Sequence, residues 1–178
     1  TKVWTSRQNK VAGQTIEKGI IMEKNRAFMA KAISLAANNV NSSNGGPFGA
    51  VVVKDGEVVG KGGNKVTMQN DPTAHAEIVA IREAAKNLGT FDLSGCEIYA
   101  SCEPCPMCLG AIYWARIDKL YYAATKDDAA KANFDDSFIY AEIAKPKDQR
   151  QLQSVQLMRE DAVKVFEKWI ETENKIPY

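Results

Sequence analysis

Over the first 22 residues, TKVWTSRQNKVAGQTIEKGIIM, the chain carries mostly polar positions without a sustained period, which predicts an irregular N-terminal arm. From residue 23 to about 41 Phe28, Ile33, Leu35 and the alanines around them form one helical face, and NSSNGGP ends it. The pattern then changes: GAVVVKDGEVVGKG, residues 49–62, is two β-branched runs around Lys54-Asp55-Gly56-Glu57. Asp-Gly supplies the positive φ angles of a tight turn, so two antiparallel strands are expected. Helical spacing returns at Ile78, Ile81, Ala85 and Leu88, predicting a helix over about 74–88 with Gly89 beyond its end. CEIYAS reads as a strand, PMCLGAIYWAR as a helix and KLYYAAT as a strand, an order that implies a right-handed parallel crossover. The expected core is a three-layer α/β sandwich. Past Lys126 come a polar stretch, a short helix from NFDDSFIY to about residue 144, a strand at SVQLM and a last helix over about 159–173.

Composition sharpens this picture in three places. At 178 residues the chain is the size of one domain, and 45% hydrophobic with 25% charged residues is ordinary globular usage. Lys plus Arg number 23 against 22 Asp plus Glu, so there is no overall positive field of the kind that gathers nucleic acid, and none is expected as a partner. The longest uncharged run, residues 32–53, is broken by Asn, Ser, Gly and Pro and cannot form a membrane-spanning helix, and the N-terminal stretch lacks the apolar core of a signal peptide. Cys96, Cys102, Cys105 and Cys108 crowd into 13 residues, which suits a metal site and a reducing compartment, the cytoplasm, better than a disulfide framework.

The chain's single histidine, His75, lies in TAHAE two residues before Glu77, upstream of EPCPMC. Catalytic zinc typically takes three protein ligands and keeps a fourth position for water, and His75, Cys105 and Cys108 supply one imidazole and two thiolates. Pro106 fits the first position of a helix, making Cys105 its cap and Cys108 its third residue, so both sulfurs sit at the helix N-terminus, where the dipole favours thiolate. His75 and Glu77 fall at the start of their own helix, and Glu77 can take and return a proton beside the water without binding the metal. A rival is a closed structural site with Cys102 as a fourth ligand in a non-enzymatic interaction domain. An iron–sulfur run would need a cysteine at position 112, which is Ile112.

With H-x-E and P-C-x-x-C in place, the sequence resembles the cytidine-deaminase superfamily, and within it the bacterial guanine deaminases. The likeness runs over about residues 23–178 and is carried by GGPFGAVVVKDG, NDPTAHAE, ASCEPCPMCLGAIYWAR, FDDSFIY and the terminal Tyr178. Residues 1–22 fall outside it as an extension. The resemblance implies a cytidine-deaminase-like α/β/α sandwich with a mixed central sheet, one Zn2+ per subunit, and a homodimer that exchanges a C-terminal segment of about residues 145–178. It further implies that Asn64 holds a purine base, Phe48 lies under it and Trp114 forms a wall. Asp136, with Phe134 beside it, contacts the amino group and helps move the proton, and Tyr178 closes the partner's pocket. Guanine presents N1–H and a 2-amino group as donors, which call for an ionised acceptor such as Asp136. The implied reaction is hydrolysis of guanine to xanthine and ammonia, with Glu77 as the proton carrier. Guanosine is the alternative substrate. Cytosine leaves Asp136 unexplained, and VKVFEKWIETENKIPY, with three Lys and three Glu, offers no basic footprint for tRNA.

Overall fold

The computed structural model of the chain describes residues 2–178, with side chains from Lys18 onward. Asp55 and Gly56 both take positive φ, 51° and 82°, and so close the hairpin between β1 (Gly49–Lys54) and β2 (Glu57–Gly63). With β3 (Cys96–Cys102) and β4 (Lys119–Ala124) they form a mixed sheet in the order β2-β1-β3-β4. β1 pairs antiparallel with both neighbours, Ala50 facing Ala100. β3 and β4 run parallel, Ile98 facing Leu120, joined across α4 (Pro106–Trp114) as the strand–helix–strand pattern requires.

Alternation along the strands divides the core into two faces. Val51, Val53 and Tyr99 meet Phe28, Met29, Ala32 and Leu35 of α1 (Lys2–Asn41), while Ala50, Val52 and Ile98 join the core under α3 (Ala76–Leu88) and α4. Helices therefore cover both faces of the sheet. Ile98 and Val52 are fully buried, and each such side chain stabilises the fold by roughly 1.5–3 kcal/mol. The face of α3 that goes deepest is Ala76, Ala80 and Ala84 rather than the larger Ile78 and Ile81. The reason lies opposite: a Cβ on Gly60 or Gly62 of β2 would strike the backbone of α3 at Ala80 or Ala76. Alanine against glycine lets the helix axis approach the strand closely, and that sets where the N-terminus of α3 stands.

The structure corrects four expectations. Residues 2–22 are not irregular but continue α1 as helix; their Lys, Gln, Arg and Ala content supports helix even where no apolar period marks it. Side chains of the arm before Lys18 lie outside the described residues. Ile33 is half exposed, because the buried stripe of α1 runs through Ala32 and Ala36 instead. The polar stretch after β4 contains a helix, α5 (Lys126–Lys131), started by a reciprocal capping box between Thr125 and Asp128. SVQLM forms no strand: Val155 and Leu157 alternate with polar neighbours, but no ladder partner satisfies that backbone. A four-residue helix, α2 (Val66–Gln69), follows β2.

The chain divides into two compact units, Thr1–Asp135 and Asp136–Tyr178. The second comprises α6 (Ser137–Ala144), a single 3-10 turn at Lys147–Gln149 and α7 (Arg159–Glu171). Within it Arg150 donates to the carbonyls of Ile143 and Lys145, and Gln151 N donates to Glu142 Oε2, which fixes the turn after α6. None of its residues is buried.

Candidate active site

Two helix N-termini build the centre. His75 caps α3 in an extended conformation, φ −67° and ψ 157°, and Cys105 caps α4 with φ −67° and ψ 169°. Pro106 opens α4, where its missing N–H removes no helical bond, and this places Cys108 two residues further into the first turn. The approach to His75 is held by Asp71, whose Oδ1 accepts from Thr73 N at 2.8 Å and Thr73 Oγ1 at 2.6 Å. Lys65 N donates to Ala74 O at 2.9 Å, tying the end of the hairpin to the residue before His75. The approach to Cys105 is held by Glu103, whose amide donates to Ala124 O at 2.8 Å and whose Oε2 accepts from Lys126 N at 3.0 Å. Neither Asp71 nor Glu103 was singled out from sequence; Asp two residues before Thr is the signal that marks the first.

His75 Nδ1 lies 3.5 Å from both Cys105 Sγ and Cys108 Sγ. The three donor atoms all fall within 4.8 Å of one another. Tetrahedral zinc with its usual bonds to nitrogen and sulfur would set these N···S separations at about 3.6 Å, so one imidazole and two sulfurs stand where zinc needs them. Cys102 does not join this group among the described residues. Its thiol is buried and directed to Thr125 O at 3.5 Å, which fits an open three-residue site better than a closed four-residue one.

The electrostatics follow from the crowding. Cys105 is drawn down to about 4, first by the hydrogen bond from Cys108 Sγ and then by the one with His75, so it is the thiolate of the pair. Cys108 keeps its proton for the same reason: the shared bond, its burial and the nearby Glu77 all push it up. Hydrogen bonding with Cys105 raises His75, favouring imidazolium while no metal competes for Nδ1. Glu77 is 7% exposed, and burial raises its carboxyl above the ordinary glutamate value. Its Oε2 accepts from Cys108 Sγ at 3.4 Å, beside the ligand atoms without being one of them. A buried carboxyl whose affinity for a proton is raised, set beside the donor atoms, is what general acid–base chemistry requires.

The remaining expected site residues are placed as follows. Asn64 is buried just past β2, and its N donates to Phe48 O at 3.1 Å across the hairpin. Asn64 Oδ1 accepts from Val66 N at 3.2 Å and Gly46 N at 3.4 Å. The Phe48 ring meets Phe134 edge-on, centroids 4.9 Å apart at 86°. Both rings line an open, mainly apolar groove of about 380 Å³ with Pro47 and Cys102. Trp114 is the last residue of α4, 71% exposed and eight residues past its first turn's start, so the helix carries it roughly 12 Å from the end bearing Cys105. The structure therefore does not bring Trp114 to the His75–Cys105–Cys108 group. Asp136 caps α6 and Tyr178 ends the chain, exposed, both in the second unit.

Residues 22–124 match the family of the cytidine and deoxycytidylate deaminase zinc-binding region. The guanine deaminase of Bacillus subtilis (strain 168) is 53% identical over 151 residues, which covers 85% of this chain and 97% of that protein. The X-ray structure of guanine deaminase from Bacillus subtilis superposes with a TM-score of 0.83 at 52% identity, over 86% of this chain and 98% of that one. The tRNA-specific adenosine deaminase of Aquifex aeolicus (strain VF5) is 49% identical over only 78 residues, 44% of this chain and 52% of that protein.

Proposed function

The chain belongs to the cytidine and deoxycytidylate deaminase family, and from that membership we propose that it hydrolyses guanine to xanthine and ammonia. The observation that carries the reading is the extent of the likeness, which reaches 97% of a guanine deaminase but about half of a tRNA-specific adenosine deaminase. In this reading His75 Nδ1, Cys105 Sγ and Cys108 Sγ hold a zinc ion. Zinc, when bound, lowers the pKa of water enough to supply a nucleophile near neutrality.

Glu77 takes a proton from the water and passes it to N3 of guanine as oxygen bonds to C2. Glu77 then takes the proton of the new C2 hydroxyl and, with Asp136 assisting, delivers it to the amino nitrogen; the C2–N bond breaks as the C2=O bond forms, and guanine plus water has become xanthine plus ammonia. Asn64 Nδ2 donates to no described residue while Oδ1 is engaged twice, which leaves a donor for an acceptor on the base. Phe48 offers the ring face under the purine, with Phe134 set edge-on against it. Asp136 accepts from the donor edge of guanine, the feature that separates this base from adenine and cytosine.

The protein acts as a homodimer that exchanges its C-terminal segment, so Tyr178 closes the partner's pocket. Support comes from the second unit itself: α7 exposes Val165, Phe166 and Ile170, and none of the unit's 43 residues is fully buried, which leaves an apolar face that another surface would cover. Trp114 serves as a wall only in a pocket completed by such a second copy, given its place at the far end of α4. The cytoplasm is the compartment that suits four free cysteines, two of them ligands. Among the described residues no helix is long and apolar enough to cross a membrane.

Incubating the zinc-loaded protein separately with guanine, guanosine, cytosine and adenosine, and following ammonia and the ultraviolet spectrum of the base, tests the substrate. Xanthine from guanine alone is expected; turnover of guanosine but not guanine would replace the substrate while keeping the zinc chemistry.

A further inference from the structure

Asn39, near the end of α1, donates from one amide nitrogen to two carbonyls: Asn64 O at 2.8 Å and Gly46 O at 3.2 Å. Those carbonyls belong to the two loops that present the residues assigned above to the base. Gly46 is two residues before Phe48, and Asn64 is the amide itself. The loops approach so closely that a Cβ on Gly45 would strike the Asn64 carbonyl and one on Gly46 would meet the Phe48 ring at 3.2 Å. A Cβ on Gly63 would meet the Asn39 amide at 2.7 Å, so the strand end is cut back where Asn39 reaches in. Asn39 is held in turn by its own backbone, whose carbonyl accepts from Asn44 N at 3.1 Å.

We propose that Asn39 is a positioning residue for base recognition, a strut that fixes Asn64 relative to Phe48; the inference rests on the guanine reading above. Asn64 is pinned at three points: its carbonyl by Asn39, its Oδ1 by Gly46 N and Val66 N, and its N by Phe48 O. Among the described residues, Asn39 is the side chain of α1 that bonds both loops at once, and α1 packs against the sheet. Without that side chain, the Asn64 carbonyl loses the donor from Asn39 and Gly46 O keeps only the bond from Phe48 N at 2.8 Å, so the Gly45–Gly46 loop is held to Asn64 by the single 3.4 Å bond from Gly46 N to Oδ1. The side-chain plane of Asn64 then loses its fixed direction, so binding of the base weakens while the proton transfers at Glu77 are untouched. Asn39 makes no contact with His75, Cys105 or Cys108 among the described residues, so zinc content is not expected to change.

Steady-state kinetics on guanine with full-length, zinc-loaded wild type, Asn39→Ala, Asn39→Asp, Asn64→Ala and the double variant Asn39→Ala/Asn64→Ala test this. Loss of the shared donor should raise KM about three- to tenfold, with kcat within about twofold. Asn39→Asp keeps the shape and removes the donor, so it should raise KM at least as much; it serves where Asn39→Ala folds poorly. In the Asn64→Ala background the further change Asn39→Ala should leave KM nearly unmoved, because a residue acting through another has nothing left to position. Wild-type KM in both Asn39 variants, or an equal KM rise with and without Asn64, overturns the inference while guanine turnover stands. A wild-type protein silent on guanine overturns the substrate reading and this inference with it.

Discussion

His75 Nδ1 stands 3.5 Å from Cys105 Sγ although 30 residues separate them and each caps a different helix. The contact exists because α3 and α4 lie on the same face of the sheet with their N-termini together, so two short sequence motifs become one donor set. Cys105→Ser and Cys108→Ser should therefore lose zinc, measured as metal bound per chain after dialysis. Cys102→Ser should keep it, since that thiol is turned to Thr125 O. Equal loss in all three variants would point to the closed four-ligand domain instead.

Asp71 should make stability depend on pH in a defined direction. The hydrogen bonds from Thr73, and then Arg82, hold its carboxyl below the usual aspartate value in the folded chain. A folded value below the unfolded one gives stability that is present above about pH 4 and is lost as pH falls through the folded value. Urea midpoints of wild type and Asp71→Asn should thus differ at pH 7 and draw together as pH falls below the ordinary aspartate value, by a small amount because Asp71 is partly open to solvent. A gap that persisted or widened in acid would contradict the assignment.

How much of this was legible beforehand depended on whether the signal was local. Asp55-Gly56 dictates its hairpin through φ alone, and Pro106 between two cysteines dictates a capped helix, so the sheet centre and the donor set were readable from short motifs. The capping box of α5 was equally local, with Thr125 three residues before Asp128, but the polar run hid it. Other features depend on distant partners. The buried alanine face of α3 exists because Gly60 and Gly62 sit opposite, and alternation at Val155 and Leu157 meant nothing without a neighbouring strand. Trp114 illustrates the limit: the predicted helix already set it at the end away from Cys105, and its role as a pocket wall came from the resemblance rather than from any local signal.

Exchange of the C-terminal segment predicts that two crippled chains rescue each other. Glu77→Gln and Tyr178→Ala proteins, each weak alone, should regain up to about a quarter of wild-type turnover when unfolded and refolded together, because half the sites of the mixed dimers pair an intact Glu77 with an intact Tyr178. No recovery in the mixed sample, with dimers present by sedimentation, would place Tyr178 over its own chain's site.

The most direct test joins zinc and chemistry in one sample: metal content and guanine turnover of Glu77→Gln. Glu77 lies beside the donor atoms without belonging to them, so the variant should bind zinc at the wild-type ratio while xanthine formation falls by about 10²- to 10⁴-fold, the span expected when a general acid–base group is removed. Full turnover in zinc-loaded Glu77→Gln would contradict the account.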